Sequence, residues 1–283
     1  MLNEFLSKFS TLLQYFSSLV KGRINRRLFE GIKTYVMFIG YPRSGHTLIG
    51  ALLDAHPNMI VAHELNALQY FKRGFSKNQV FSLLLSNSRS NAKAGRMCTG
   101  YSYSVPNQFQ GRYTDLIVIG DKKGGGSAYL LKENPSLLNI IEQRVGLPVK
   151  YIHVYRNPFD NITTWARGGN LAKKTVTEKD LELIISKYFA TTEMIYQLKK
   201  DSKIEIIDIK HEDFIKHPKE LLMYLVTKIG LETNEDYLES CGKIVFENPK
   251  KTRHSVDWPE HLVNLVMQSM AMYPWLANYN FDN

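Results

Sequence analysis

Short apolar runs alternate with stretches of helical periodicity along most of the chain. The runs occupy residues 35–40, 116–120, 150–155 and 204–209. Because they are continuously apolar rather than alternating, they are typical of parallel strands covered on both faces. Helical patterns lie at about 47–55, 135–145, 159–167, 178–199, 218–229 and 259–272. This order predicts an α/β fold, a single three-layer domain with a central parallel sheet.

Two regions depart from this alternation. Residues 1–30 form an apolar and then basic segment, which sets them apart from the domain predicted at 31–283. Residues 71–115 are more polar and rich in Tyr, Ser and Asn. We therefore expect 71–115 to be an insertion over the edge of the sheet rather than a second domain.

The first segment predicts an amphipathic helix over residues 2–20, because its apolar residues recur every three or four positions. It is too polar for a spanning helix and lacks the features of a signal peptide, so a cytoplasmic location is expected. Basic residues follow it directly, at Lys21, Arg23, Arg26 and Arg27. Two interpretations stay open: a helix docked on the domain or a partner chain, or one lying on an anionic membrane surface.

Composition narrows the classes of partner. Apolar residues make up 44% and charged residues 22%, which excludes a disordered chain. Lys and Arg outnumber Asp and Glu by 36 to 27, and this net charge of +9 favours an anionic partner. Cys98 and Cys241 are far apart and form no CxxC, so neither a disulfide framework nor a cysteine zinc site is predicted. A reducing compartment fits best.

The strongest local signal is the segment Gly40-Tyr41-Pro42-Arg43-Ser44-Gly45-His46-Thr47, between a predicted strand and a predicted helix. Its spacing matches the phosphate-binding loop GxxxxGK[ST], whose backbone N–H groups converge on an anion. His46 replaces the lysine that nucleoside triphosphate enzymes use, while Arg43 supplies a different cation. A charge-assisted hydrogen bond is worth about 1.5–3 kcal/mol, against about 0.3–1 kcal/mol for a helix terminus. Arg43 is therefore expected to matter more than the helix dipole.

A second motif follows the strand at 150–155, and together the two resemble a known family. Tyr41 to Thr47 resembles the 5′-phosphosulfate loop of sulfotransferases that use 3′-phosphoadenosine 5′-phosphosulfate, and Leu52 to Asn58 extends the likeness. Arg156-Asn157-Pro158-Phe159-Asp160 resembles that family's 3′-phosphate motif, with Thr164 eight residues after Arg156. The likeness is to the bacterial and tyrosylprotein branch, and it implies a P-loop-like fold.

The resemblance implies the donor 3′-phosphoadenosine 5′-phosphosulfate as co-substrate and no required metal. Weaker likenesses add a lysine in Gly120-Asp121-Lys122 and a basic loop at 250–255 that would close over the 3′-phosphate. The residues expected to bind the donor are Tyr41, Pro42, Arg43, Ser44, Gly45, His46, Thr47, Lys122, Arg156, Thr164, Lys251 and Arg253.

Sulfuryl transfer needs in-line positioning and a base for the acceptor hydroxyl. Negative charge developing on the departing 5′-phosphate would be received by Arg43, the loop N–H groups, Thr47 and a protonated His46. Glu64, eight residues after His56, matches the family's catalytic glutamate. His63 is the competing candidate.

Two other classes remain open. A P-loop kinase or nucleotide hydrolase would share the architecture, and a basic nucleic-acid-binding protein could use the net charge with aromatics at Tyr101, Tyr103, Phe109 and Tyr113. For a sulfotransferase, small-molecule, glycan, lipid and peptide tyrosine acceptors are all open. Residues 71–115 and 168–180 are the expected lids on the acceptor side.

Overall fold

The computed structural model describes residues 2–169 and 175–282 and, within the first helix, the side chains from residue 12 onward. The strands are β1 (Thr34–Gly40), β2 (Met59–Ala62), β3 (Met97–Cys98), β4 (Tyr101–Ser102), β5 (Val118–Asp121), β6 (Val149–Tyr155) and β7 (Glu205–Lys210). The helices are α1 (Leu2–Ile24), α2 (Arg26–Phe29), α3 (His46–Asp54), α4 (Ala67–Lys72), α5 (Lys77–Lys93), α6 (Gly124–Glu133), α7 (Leu137–Val145), α8 (Pro158–Ala166), α9 (Glu178–Lys200), α10 (His211–Lys216), α11 (Pro218–Ile229), α12 (Glu235–Gly242) and α13 (Glu260–Ala271), with a 3₁₀ turn at Thr252–Ser255.

The central sheet is parallel and has the strand order β2-β5-β1-β6-β7. Its middle strand, β1, is buried along its whole length. Val36 and Phe38 join the core beneath α3 and α11, whereas Tyr35 and Met37 join the core beneath α4 and α5. Helices therefore cover both faces, and the predicted three-layer α/β fold is confirmed.

Strand order reverses at β1, because the chain next builds β2 and β5 on one side and β6 and β7 on the other. Loops that leave the carboxyl ends of neighbouring strands then diverge and open a crevice. The loops after β1, β2, β5, β6 and β7 all reach this crevice, and they carry the site described below.

The stretch 71–115 contains a regular helix that its polar composition did not predict. Helix α5 begins at a capping box in which Ser76 and Gln79 bond each other's backbone. It packs on the edge strand β2 and on α1. The short antiparallel pair β3–β4 follows α5 and approaches the crevice.

A buried carboxylate on α3 binds several residues of this stretch. Asp54, at the end of α3, accepts hydrogen bonds from Ser88 Oγ (2.7 Å) and from the N–H groups of Val61 (2.6 Å) and Gly111 (2.9 Å). It also pairs with the buried guanidinium of Arg96. A buried charge that is paired and hydrogen-bonded in this way holds its partners in fixed positions. The 71–115 stretch is thus held against α3, the helix that begins after the loop following β1.

The later helices begin near the predicted residues. A capping box joins Thr177 and Asp180 at the start of α9, and Pro218 is the first residue of α11. Pro259 lies one residue before α13, at its N-cap. Residues 170–174 of the expected lid at 168–180 lie outside the described residues.

In the described part of the chain, no helix is both long enough and apolar enough to cross a membrane.

Candidate active site

A cavity of about 460 Å³ opens at the carboxyl ends of the central strands. The loop after β1 contributes Pro42, Arg43, Gly45, His46 and Thr47 to its wall. The remaining wall residues used below follow the other strands or come from the 71–115 stretch and the C-terminal loop: Glu64, Tyr101, Tyr103, Lys123, Gly124, Gly125, Gly126, Arg156, Thr164, His211, Phe246, Lys250 and Thr252. Both predicted motifs therefore meet in one cavity.

The loop after β1 is shaped by residues with positive φ, at Gly40 (139°), Arg43 (68°) and Gly45 (102°). Ser44 Oγ is buried and donates a hydrogen bond to the Tyr41 carbonyl at 3.0 Å. The Tyr41 ring stacks on Tyr188 and is fully buried. The side chains of Tyr41 and Ser44 thus support the loop from below, while Arg43 and Thr47 border the cavity.

His46 lies beneath the loop as a neutral side chain. Its Nε2 is 3.1 Å from Ser44 Oγ, and its ring packs edge-on against Phe38. Burial, and secondarily the Lys122 ammonium, lower the pKa of His46 to about 3. This pKa gives no support to the expectation that a protonated His46 receives charge from the departing phosphate, because such an imidazole is uncharged near pH 7.

Because the folded protein keeps His46 neutral, its stability is expected to fall on acidification. The pKa of His46 is depressed from 6.5 to about 3, so this contribution is complete above pH 6.5 and is lost as the pH falls toward 3. At about pH 5 the loss for such an imidazole is roughly 2 kcal/mol. Denaturant unfolding at pH 7 and pH 5 should show a smaller difference for His46→Gln than for the wild type.

The matched control is His217→Gln, because the His217 side chain is 60% exposed. This variant should keep the wild-type difference between the two pH values. An equal acid sensitivity in His46→Gln and the wild type would contradict the assignment of a neutral, buried imidazole.

Three consecutive glycines follow Lys123, and two of them, Gly124 and Gly125, fit against the loop; sequence reasoning missed them. A Cβ at Gly124 would lie 2.2 Å from His46 Cε1, and one at Gly125 would lie 2.8 Å from Pro42 Cγ. Only residues without side chains allow the start of α6 to approach the loop this closely. The N-termini of α3 and α6 both border the cavity, and helix N-termini favour anions. The signal that could have found them was a run of three glycines, separated by three residues from the strand predicted at 116–120.

Glu64 reaches the cavity from the turn after β2 and contacts two lysines. Its Oε1 accepts from Lys122 Nζ at 3.0 Å and its Oε2 from Lys123 Nζ at 2.8 Å. Burial opposes ionisation of Glu64, but the two ammonium groups outweigh it and lower its pKa to about 2. The carboxylate is therefore ionised at every physiological pH.

Lys122 connects the carboxylate to the phosphate loop. Its Nζ also donates to Thr47 Oγ1 at 3.0 Å, and its side chain is only 2% exposed. Its stem crosses α3 at Gly50, where a Cβ would lie 2.5 Å from Lys122 Cγ. Glu64, Lys122 and Thr47 thus form one bonded row, in which Glu64 and Thr47 line the cavity and the buried Lys122 connects them.

The turn that carries Glu64 has an unusual backbone. Glu64 and Asn66 have φ values of 56° and 64°, in the left-handed region that non-glycine residues disfavour. The buried Asp121 carboxylate fixes this turn by accepting from the N–H groups of Leu65 (3.0 Å) and Ala67 (2.7 Å).

His63, the competing base, does not line the cavity. Its backbone N–H donates to Asn87 Oδ1 at 2.7 Å, and burial together with Lys122 lowers the pKa of its ring to about 4. Of the two neighbours, only Glu64 is presented to the cavity.

Arg156 lies in the same cavity as Arg43, at the end of β6. It donates from Nη2 to the Asp160 carbonyl (2.5 Å) and to Thr164 Oγ1 (2.9 Å), while Thr252 Oγ1 lies at 3.3 Å. Arg43 instead donates to the Gly168 carbonyl at 3.0 Å. The two guanidinium groups therefore border one cavity, as binding of a single doubly charged ligand requires.

The basic loop after residue 249 is arranged differently from the prediction. Arg253 is 1% exposed and pairs with Asp160 at 3.0 Å, so its guanidinium forms an ion pair inside the protein. Lys251 Nζ donates to the Asp282 carbonyl at 3.2 Å. Neither residue lines the cavity, whereas Lys250 and Thr252 do. The cavity lining thus gives no support to the predicted contacts of Lys251 and Arg253 with the donor, which stay a prediction.

Part of the cavity wall is aromatic. The rings of Tyr101 and Phe246 pack edge to face at 5.4 Å, and Lys250 Nζ donates to Tyr101 Oη at 2.8 Å. Tyr103 lies beside them in the same wall. Phe246 was missed in the sequence because a lone aromatic in an irregular segment carries no periodic signal.

His211 completes the wall between the two cationic ends. It begins α10, and a Cβ at Gly45 would lie 2.3 Å from His211 Cδ2, so the imidazole rests on the loop. Burial and Arg156 lower its pKa to about 3. The sequence likeness had suggested only a structural role for the segment it starts.

Comparisons with known proteins point to one family. A family profile described as the sulfotransferase family matches residues 36–235. The sulfotransferase domain of the Synechococcus PCC 7002 olefin synthase is similar in structure, with a TM-score of 0.53 and 17% identity over 84% of this chain and 94% of that one. The sulfotransferase domain of the curacin biosynthetic pathway is similar as well, with a TM-score of 0.52 and 12% identity over 85% of this chain and 97% of that one.

A sulfotransferase from Mycobacterium tuberculosis H37Rv gives a TM-score of 0.50 with 10% identity over 90% of this chain and 81% of that one. None of the curated proteins compared with the chain matches it. The structural likenesses show a shared fold, and the family profile covers more than half of the sequence. On the family profile, the chain belongs to the sulfotransferase family, enzymes that transfer a sulfuryl group.

Proposed function

We propose that this protein transfers the sulfuryl group of 3′-phosphoadenosine 5′-phosphosulfate to a hydroxyl acceptor. The observation that carries the proposal is that Arg43 with its loop and Arg156 with its threonines border one cavity. A volume of about 460 Å³ lies within the usual range for small-ligand sites.

The 5′-phosphosulfate is assigned to the loop end of the cavity. There the N-terminus of α3, Thr47 Oγ1 and the lysines at 122 and 123 supply hydrogen-bond donors and positive charge. As the bridging S–O bond breaks, charge grows on the departing phosphate. Fixed donors at that position stabilise the transition state more than the ground state.

The 3′-phosphate is assigned to the Arg156 end. The guanidinium is nine-tenths buried, and its Nε has no hydrogen-bond partner among the residues that the structure describes. A buried, partly unsatisfied cation is costly in an empty site and favours an anionic ligand. Thr164, Thr252 and Lys250 add polar and cationic groups around it.

Glu64 is assigned as the base that removes the acceptor's proton. A carboxylate of pKa about 2 is a weak base in the isolated protein. Because the same lysines contact Glu64 and border the loop, donor binding would draw their charge toward the sulfonate. The basicity of Glu64 would then rise when the donor is present, which couples proton removal to a loaded site.

The acceptor is assigned to the aromatic part of the cavity wall, between Glu64 and the rings of Tyr101, Tyr103 and Phe246. An acceptor hydroxyl there would face Glu64 on one side and the sulfur on the other. In-line transfer needs this arrangement of acceptor oxygen, sulfur and leaving oxygen.

The proposal is tested by incubating the protein with sulfur-labelled donor and a panel of hydroxyl acceptors. Label should pass to at least one acceptor, with adenosine 3′,5′-bisphosphate as the other product. Calorimetry should show tighter binding of this bisphosphate than of adenosine 5′-monophosphate, by at least about tenfold for one added charged contact. Preferential binding of ATP with magnesium would instead favour a kinase or hydrolase.

A further inference from the structure

Helix α1 packs on the domain through its small and polar residues. Ser18 is fully buried, and Gln79 Nε2 on α5 donates to Ser18 Oγ (3.3 Å) and to the Tyr15 carbonyl (3.2 Å). Gly22 approaches α5 so closely that a Cβ there would lie 2.9 Å from the carbonyl carbon of Asn78. The close crossing depends on Ser18 and Gly22, one turn apart.

The opposite side of α1 exposes an apolar strip, formed by Leu12, Leu13, Phe16, Val20 and Ile24. Their exposure runs from 51% at Leu12 to 74% at Ile24. At 3.6 residues per turn these five positions fall within about a third of the helix circumference, on the side away from Ser18 and Gly22. A helix that docks on its own domain normally buries its apolar side, and here the orientation is reversed.

Cations accompany this strip. At 100° per residue, Arg23 falls within the arc of the strip and Lys21 about 60° beyond its Ile24 edge, and Arg26 and Arg27 follow on α2; all four are exposed. Residues 12–27 contain no Asp or Glu. A second copy of the same surface would therefore offer apolar contact with one acidic side chain nearby, Glu30, which already pairs with Arg26 at 3.6 Å.

We propose that the strip and its cations lie on an anionic lipid surface, with α1 in the plane of the interface. Such a surface offers hydrocarbon for the apolar side chains and negative headgroups for the lysine and arginine side chains. The long basic side chains can reach the headgroups while the strip is immersed. This inference does not depend on the assigned reaction.

Co-sedimentation of the full chain with lipid vesicles tests the proposal. Binding is expected to vesicles of phosphatidylcholine mixed with phosphatidylserine, and to be much weaker to phosphatidylcholine alone or at high salt. The double variant Phe16→Ser/Val20→Ser should lower the partition coefficient by at least about tenfold, since two apolar side chains leave the interface. Lys21→Gln/Arg23→Gln should lower it by a similar factor, only for the anionic vesicles.

The matched control is Leu183→Ser on α9, which removes a leucine of similar exposure (53%) far from the strip in sequence. It should bind vesicles like the wild type. All variants are compared by thermal unfolding, because exposed positions should change stability little. Equal vesicle binding by Phe16→Ser/Val20→Ser and the wild type would overturn the proposal. The proposal would also be overturned if the wild type did not bind vesicles but sedimented as a dimer, and the double variant abolished that dimer.

Discussion

Glu64→Gln is expected to slow sulfuryl transfer by roughly 10²–10⁴, the usual contribution of a positioned general base. Affinity for adenosine 3′,5′-bisphosphate should stay close to the wild-type value. The amide keeps the size of the side chain and can still accept a hydrogen bond from Lys122 or Lys123, but it cannot take a proton at neutral pH. Single-turnover rates with pre-bound donor, together with calorimetry of the bisphosphate, separate the chemical step from binding.

His63→Gln is the control for this prediction, since His63 adjoins Glu64 in sequence but does not line the cavity. Its turnover should remain near the wild-type value. A loss of turnover in His63→Gln with retention in Glu64→Gln would transfer the role of base to the imidazole.

The pH dependence follows from the ionisation of Glu64. The active form is the carboxylate, and with a pKa of about 2 it persists on acidification until about pH 3. No acid limb from this group should therefore appear between about pH 5 and 8 in kcat/KM for the donor, which reports ionisation in the free enzyme. A limb in that range that disappears in Glu64→Gln would contradict the lowering of the Glu64 pKa by the two lysines.

Arg156→Ala is expected to weaken binding of adenosine 3′,5′-bisphosphate by at least about tenfold, because a charge-assisted hydrogen bond to phosphate is worth about 1.5–3 kcal/mol. The effect should nearly vanish for adenosine 5′-monophosphate, which lacks the 3′-phosphate. Calorimetry of both nucleotides with both proteins gives a double comparison that isolates the contact.

Two further variants make this comparison decisive. Arg156→Lys keeps the charge but not the planar fork, so its affinity should lie between those of the wild type and Arg156→Ala. Lys251→Ala removes an exposed cation of the nearby basic loop and should bind like the wild type, since Lys251 faces the Asp282 carbonyl. Equal losses for the two nucleotides in Arg156→Ala would place the 3′-phosphate elsewhere.

The sheet was predictable because four of its five strands contain apolar runs that were recognised, whereas β2 was missed although it is as long as β5. Helix α5 was missed because Ser and Asn, poor helix formers, dominate its exposed side. Its buried Val80, Phe81, Leu84 and Leu85 nevertheless recur with helical spacing, and this pattern could have predicted the helix.

At the site, the loop and Arg156 were predictable because each motif is local and follows a strand. The sequence did not predict which cations of the segment 250–253 border the cavity. The turn that begins at Thr252 decides this, because it directs Arg253 inward to Asp160. The contact between Lys122 and Glu64 joins loops 58 residues apart, and only the order of the parallel strands brings them together.

The left-handed backbone at Glu64 has a consequence for how the sequence can change. A side chain in that conformation is less stable than glycine by about 1–2 kcal/mol. The ion pairs with Lys122 and Lys123 offset this cost, because glycine at this position would leave the buried Lys122 ammonium without its carboxylate partner. Any substitution of Glu64 is thus expected to change stability in two opposite directions, by relieving backbone strain and by removing an ion pair.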